Sequence, residues 1–202
     1  MTADRRLRIG GWAALATAII APLELALIFV ESGGTRRPGP SLYLVTDVSR
    51  FACLLAAVAG LDALFRRIAP RGANVVVIAG SIGAGLGIVA GVALLAGIDA
   101  PVVQTIAVLL ASLLAAVWFV GGGGILMHAG GGLARIGWPA QLGGLGLVLA
   151  ATFVALSISG PGGTSGPSLL NWFQLVGLFV IVYLVRIWFY VVRGRLPGPG
   201  VL

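Results

Sequence analysis

Two charged residues lie deep inside an uninterrupted apolar stretch of this sequence. Residues 42–65, LYLVTDVSRFACLLAAVAGLDALF, are long enough to cross a bilayer as one helix, and both Asp47 and Arg50 fall inside it. At helical pitch their side chains lie about 60° apart, on one face of the helix. Small residues form a ridge on roughly the opposite side: Ala52, Ala56 and Gly60. We therefore expect the other helices to pack around this segment, with the ridge as a contact surface and the charged face toward a polar interior.

The composition describes a chain that is mostly buried in lipid. Of the 202 residues, 59% are hydrophobic and 9% are charged, and the mean hydropathy is +1.08. No polar stretch is long enough to build a soluble domain, so we expect an all-α, polytopic membrane protein that forms one domain over residues 1–202. All 13 basic residues are arginine. Most of them flank apolar runs, which argues against nucleic acid as a partner and favours anionic lipid headgroups.

Six apolar segments predict a bundle of six transmembrane helices. They cover residues 9–30, 42–65, 73–98, 102–127, 136–159 and 169–192. The first segment follows Arg5, Arg6 and Arg8 as a signal peptide would, but it is long enough to span the bilayer, so we expect it to be retained. Pro22 is expected to kink it.

Arginine is distributed unequally between the two sides of the predicted bundle. Six alternating spans place nine arginines on one side: Arg5, Arg6, Arg8, Arg66, Arg67, Arg71, Arg135, Arg193 and Arg195. Only Arg36 and Arg37 fall on the other side. Because short cytoplasmic loops retain positive charge, the sequence predicts a protein of the inner (plasma) membrane with both termini in the cytoplasm.

Six polar side chains share the outward half of this predicted bundle. They are Glu24, Asp47, Arg50, Gln104, Asn171 and Gln174. The three charged members lie about 8–12 Å inside the outer edge of the bundle. The functional interpretation is an outward-facing polar pocket for a small or lipid-like ligand. The structural alternative is that Asp47 and Arg50 neutralise each other, Arg50 extends toward the surface, and Glu24 is protonated or bonded to Arg50.

The remaining candidate sites are weaker. The stretch GGGGILMHAGGG, residues 121–132, follows no strand and precedes no Gly-Lys-Ser/Thr step, so we do not expect a phosphate loop. Its glycines are expected to loosen the end of the fourth helix. His128 lacks a second histidine for haem ligation, and Cys53 lacks a disulfide partner. Arg186 is expected to extend to cytoplasmic headgroups. We expect no metal, no cofactor and no catalytic residue.

Two segments differ in the bulk of their side chains. Gly83, Gly87 and Gly91 recur every four residues in the third segment, which predicts close helix packing and a central position. The sixth segment is rich in tryptophan, tyrosine and phenylalanine, which predicts a peripheral helix anchored at both membrane interfaces.

Three stretches occur in a characteristic order, namely FACLLAAVAGLDALFRR, then GGLARIGWPAQLGGLGLVL, then the closing VRIWFYVVRGRLPG. Together with the arginine-flanked first segment, this order resembles the small bacterial six-helix membrane proteins of a domain-of-unknown-function family (number 4386). The resemblance implies the six-helix fold. It implies no activity and carries no catalytic motif.

Two classes of function fit these features. The first is a non-enzymatic membrane protein whose outward polar pocket binds a small or lipid-like ligand, as a component of transport or sensing. The second is a structural subunit of a membrane complex or homo-oligomer, which docks its partner through the small-residue ridges. An intramembrane enzyme ranks third, because no histidine or lysine is placed to activate a serine.

The arginine asymmetry predicts which loops face outward. Thr35 and Ser165, each replaced by cysteine, should both react with a membrane-impermeant thiol reagent in intact cells. Protection of either cysteine from the reagent would refute the predicted topology.

Overall fold

The described part of the chain forms six α-helices, the number that the sequence predicted. A computed structural model describes residues 3–32, 42–98, 100–159 and 167–193. The helices are α1 (Ala3–Ser32), α2 (Leu42–Ile68), α3 (Pro70–Leu95), α4 (Pro101–His128), α5 (Gly131–Ser159) and α6 (Pro167–Val192). Each overlaps one predicted segment, which confirms the all-α class. Outside the described residues lie Thr35, Arg36, Arg37, Ser165 and Arg195.

Within the described residues, four segments are long and apolar enough to cross a membrane. They are Asp4–Glu24, Leu44–Ile68, Pro70–Leu95 and Val102–His128. The first predicted segment is among them, and its helix continues through Pro22 to Ser32. Length and composition therefore place the chain among helical membrane proteins.

The end of α3 is set by a left-handed glycine. Gly97 has φ 74°, and the amide of Ile98 donates to the carbonyl of Ala93 at 3.0 Å. This arrangement satisfies a carbonyl that the last turn of a helix leaves free. As a result α3 ends at Leu95, before the predicted boundary at residue 98.

The six helices form a closed ring. Each helix packs against its neighbours in sequence, and α1 also packs against α6. At this closing interface the rings of Trp12 and Trp188 meet edge to face, with centroids 5.5 Å apart. The prediction that α6 is a peripheral helix was therefore wrong. This helix lies between α1 and α5 and buries Tyr183, Leu184 and Ile187 in the core.

Trp118 of α4 fills the centre of the ring. Its side chain is fully buried, at 0% exposure, and contacts two other helices through aromatic rings. The ring centroids lie 6.3 Å from Phe65 of α2 and 5.9 Å from Tyr183 of α6. A Cβ at Gly80 of α3 would lie 2.7 Å from the indole ring, so this glycine provides the space that the tryptophan occupies. The aromatic residue thus links four helices.

The glycines of α3 allow α2 to approach closely. A Cβ at Gly87 would lie 2.5 Å from the ring of Phe51, and one at Gly91 would lie 2.5 Å from a methyl group of Val48. On the other side, a Cβ at Gly83 would lie 3.0 Å from the carbonyl oxygen of Ala111 in α4. The close packing predicted for α3 is confirmed.

The face of α2 that enters the core is the one that carries Arg50. Leu54 and Leu61 continue this face and are buried. The predicted small-residue ridge is correct only for Gly60, which contacts α1, whereas Ala52 and Ala56 are exposed on the outside of the ring. The ridge prediction was wrong for these two alanines because the partners of α2 pack on the opposite face.

The glycine-rich end of α4 remains helical, which contradicts the predicted loosening. Gly121, Gly122 and Gly123 lie within a helix that continues to His128. They are packing positions: a Cβ at Gly122, for example, would lie 3.0 Å from the ring of Phe65. Only after His128 does the chain turn, through Gly130 and Gly131 with positive φ.

A matched pair of substitutions tests the packing of α3. Gly87→Leu should lower the free energy of unfolding by about 1–3 kcal/mol relative to Gly85→Leu, because its side chain would overlap Phe51. Nothing lies within 4 Å of a Cβ at Gly85. Both changes share the same helix and residue types, so intrinsic helix propensity cancels. Equal thermal stability of the two variants in detergent would contradict this interface.

Candidate functional site

Three of the predicted polar residues meet between α1 and α2. The guanidinium of Arg50 donates from Nε to Oε2 of Glu24 at 2.5 Å and from Nη2 to Oδ1 of Asp47 at 2.5 Å. The side chains are partly shielded, with 28% of Arg50, 14% of Glu24 and 21% of Asp47 exposed. One cation therefore bridges two helices by binding a carboxylate on each.

The register between α1 and α2 explains why these residues meet. A Cβ at Gly10 of α1 would lie 2.8 Å from the backbone of Gly60, so the two helices cross in direct contact there. Because α1 and α2 are antiparallel, the distance along α1 from Gly10 to Glu24 corresponds to an equal distance from Gly60 toward the start of α2. The residue at that distance is adjacent to Asp47. Arg50 lies one turn away and reaches both carboxylates.

The third helix completes the surroundings of the cluster. The Cζ atom of Arg50 lies 4.5 Å from the centroid of the Phe51 ring, within cation–π range, and Phe51 packs on Gly87. A Cβ at Gly91 would lie 3.8 Å from Oδ2 of Asp47. A role for Phe51 was not predicted, although its position beside Arg50 and its aromatic character could have indicated one.

The charges of the cluster do not balance when all three groups are ionised. Two carboxylates face one guanidinium, which leaves one negative charge in excess. Poorly solvated charge is costly unless it is paired, so this arrangement favours a further positive partner. A proton or a ligand with a cationic group would neutralise the cluster.

The other predicted site residues are placed differently. Gln104 donates from Nε2 to the carbonyl of Ile98 at 2.5 Å and so stabilises the connection between α3 and α4. Asn171 and Gln174 belong to α6, but their side chains lie outside the part of the chain that the structure describes. The structure thus brings together Glu24, Asp47 and Arg50.

Across residues 3–32, 42–98, 100–159 and 167–193, no three histidine, cysteine, aspartate or glutamate side chains group closely enough to hold a metal ion.

Comparisons with protein-family models, with curated proteins and with solved structures gave no match. The chemistry of the cluster is therefore the basis for assigning a function.

The salt bridges predict a strong effect of removing Arg50. Arg50→Ala should reduce the free energy of unfolding by about 3–5 kcal/mol, because it leaves two shielded carboxylates without a cation. Thermal or denaturant unfolding in detergent at neutral pH measures this loss. Wild-type stability of Arg50→Ala would show that the pairing contributes little.

Two further variants separate charge from packing. Arg71→Ala removes an exposed arginine and should change stability little. The triple variant Arg50→Met, Glu24→Gln and Asp47→Asn is uncharged at the cluster, and it should regain most of the stability that Arg50→Ala loses.

Proposed function

We propose that the chain is a six-span protein of the inner membrane that binds a proton or a small cationic ligand at Glu24, Asp47 and Arg50. The observation that carries the proposal is the bridge from Arg50 to carboxylates on two different helices. Ionisable groups inside a membrane span are costly and commonly mark ligand or proton pathways. In this proposal the protein is a non-enzymatic component of transport or sensing.

The orientation belongs to the same proposal. At one end of the ring, the start of α1 lies beside the end of α2, where Asp4 and Arg67 approach within 3.9 Å. This end also carries Arg66, which donates to Asp62, four residues earlier in α2, at 2.6 Å. The excess of arginine at this end supports a cytoplasmic location for it and for both termini. In this proposed orientation the charged cluster lies in the outward half.

The position of the cluster suggests how binding could be transmitted. Arg50 holds α1 to α2 through one carboxylate on each helix. A proton or cation that neutralises Glu24 competes directly with Arg50 for this carboxylate. Binding therefore changes the contact that Arg50 makes between α1 and α2, which couples the ligand to helix packing.

The alternative is a structural subunit that docks its partner through the small-residue ridges, and only part of those ridges is available. On α2, Ala52 and Ala56 are exposed on the outside of the ring. Gly83, Gly87 and Gly91 instead contact α4 and α2 of the same chain. The resemblance to family 4386 is part of our proposal at the level of the fold.

Titration of the cluster tests whether a proton is bound. Protonation of one carboxylate removes the excess negative charge, so the free energy of unfolding should increase as the pH falls from about pH 8 to pH 5. Glu24→Gln should remain folded and lose this dependence. Asp62→Asn, at the other end of α2, should retain it. If the wild type and Glu24→Gln respond to pH alike, Glu24 does not bind the proton.

A pair of isosteric probes tests binding of a cation. Choline should raise the melting temperature of the purified protein more than 3,3-dimethylbutan-1-ol, which has the same shape without the charge. The difference should disappear in Glu24→Gln, because that variant balances the charges of Asp47 and Arg50. The proposed site is refuted if two results are found for the wild-type protein. Choline and its neutral analogue would have equal effects on its melting temperature, and its stability would not depend on pH.

A further inference from the structure

A proline in α5 leaves a backbone carbonyl without its helical partner. Pro139 lies inside α5 and has no amide hydrogen, so the carbonyl of Arg135, four residues earlier, cannot accept the usual bond. Arg186 of α6 takes this place: its Nη1 donates to the Arg135 oxygen at 2.9 Å. The sequence predicted that Arg186 would extend toward headgroups. It is exposed, and it is also fixed to the neighbouring helix.

The bond to the Arg135 carbonyl leaves most N–H groups of the Arg186 guanidinium available for other hydrogen bonds. An arginine side chain has five N–H donors, and only one of those in Arg186 is directed to the carbonyl. Among the described residues, the ion pairs of arginine involve only α1 and α2. Neither α5 nor α6 contains an aspartate or a glutamate. The positive charge of Arg186 therefore has no carboxylate on its own pair of helices.

Two further arginines lie at the same end of this helix pair. Arg193 follows Arg186 by seven residues and so occupies nearly the same face of α6, with its Cζ atom 5.3 Å from the centroid of the Phe189 ring. Arg135 is exposed in the second turn of α5. Trp138, one turn further, is 58% exposed, as is common for tryptophan at a membrane interface.

We propose that Arg135, Arg186 and Arg193 bind the phosphate group of an anionic phospholipid in the cytoplasmic leaflet. Arginine is suited to this role because its planar fork can donate two hydrogen bonds to one phosphate. Basic sites between transmembrane helices on the cytoplasmic side bind anionic headgroups. The inference shares the membrane orientation of the proposed function but uses other helices and the opposite end of the bundle.

Native mass spectrometry of the detergent-purified protein tests the site. Phosphatidylglycerol should remain bound in preference to phosphatidylcholine, and Arg186→Gln should weaken its binding about fivefold, the factor equivalent to about 1 kcal/mol per interfacial arginine. Arg71→Gln is the matched control, because it removes one exposed arginine from the same end of the ring on α3. Equal losses in the two variants would overturn the proposal in favour of general attraction to a basic surface.

Further variants keep the test valid if Arg186→Gln fails to fold. Arg135→Gln retains the backbone carbonyl that Arg186 contacts, and Arg193→Gln leaves that contact untouched, so both should fold and weaken phosphatidylglycerol binding. Full binding in both would overturn the proposal. Inorganic phosphate should bind far more weakly than phosphatidylglycerol, and equal binding would show an ion site in place of a lipid site. Glu24→Gln should leave lipid binding unchanged, which separates this result from the proposed function.

Discussion

Close packing of neighbouring helices at glycine is the constraint on which this structure depends. Lipid tails are as apolar as the helix side chains, so the hydrophobic effect does not drive helices to associate within a bilayer. Their association relies on the close contacts that small residues permit. Every interface of the ring contains such a position: Gly10 and Gly60 between α1 and α2, Gly87 between α2 and α3, Gly83 between α3 and α4, Gly123 and Gly137 between α4 and α5, Gly143 between α5 and α6, and Gly11 between α1 and α6. Bulky residues then fill the centre that the ring encloses.

The geometry of the charged cluster follows from this packing. The crossing of Gly10 and Gly60 sets the register that brings Glu24 level with Asp47, and Arg50 joins the two helices. A different register would leave Glu24 without its cation. Because shielded charge is tolerated only when it is paired, glycine packing and ion pairing stabilise the same arrangement of α1 and α2.

The sequence predicted those features that depend on local patterns. Apolar length gives the number of helices and their approximate ends, and the pairs Asp47–Arg50 and Asp62–Arg66 follow from helical spacing. The contacting face of α2 was harder to predict, because small residues occur on more than one face and only Gly60 is in contact. The aromatic residues of α6 were ambiguous for a related reason. They suit an interfacial anchor and also the centre of a ring, where Tyr183 lies.

Charge divides the bundle in a way that separates the two candidate sites. In the described helices, the carboxylates lie in α1 and α2, and α3 to α6 contain none. Among these described helices, an excess negative charge can therefore form only near α1 and α2, where Glu24 and Asp47 share Arg50. At the opposite end of the bundle, on α5 and α6, the charge of Arg186 is directed by a backbone carbonyl that Pro139 leaves free. The first site favours a cation and the second an anion, and no residue belongs to both.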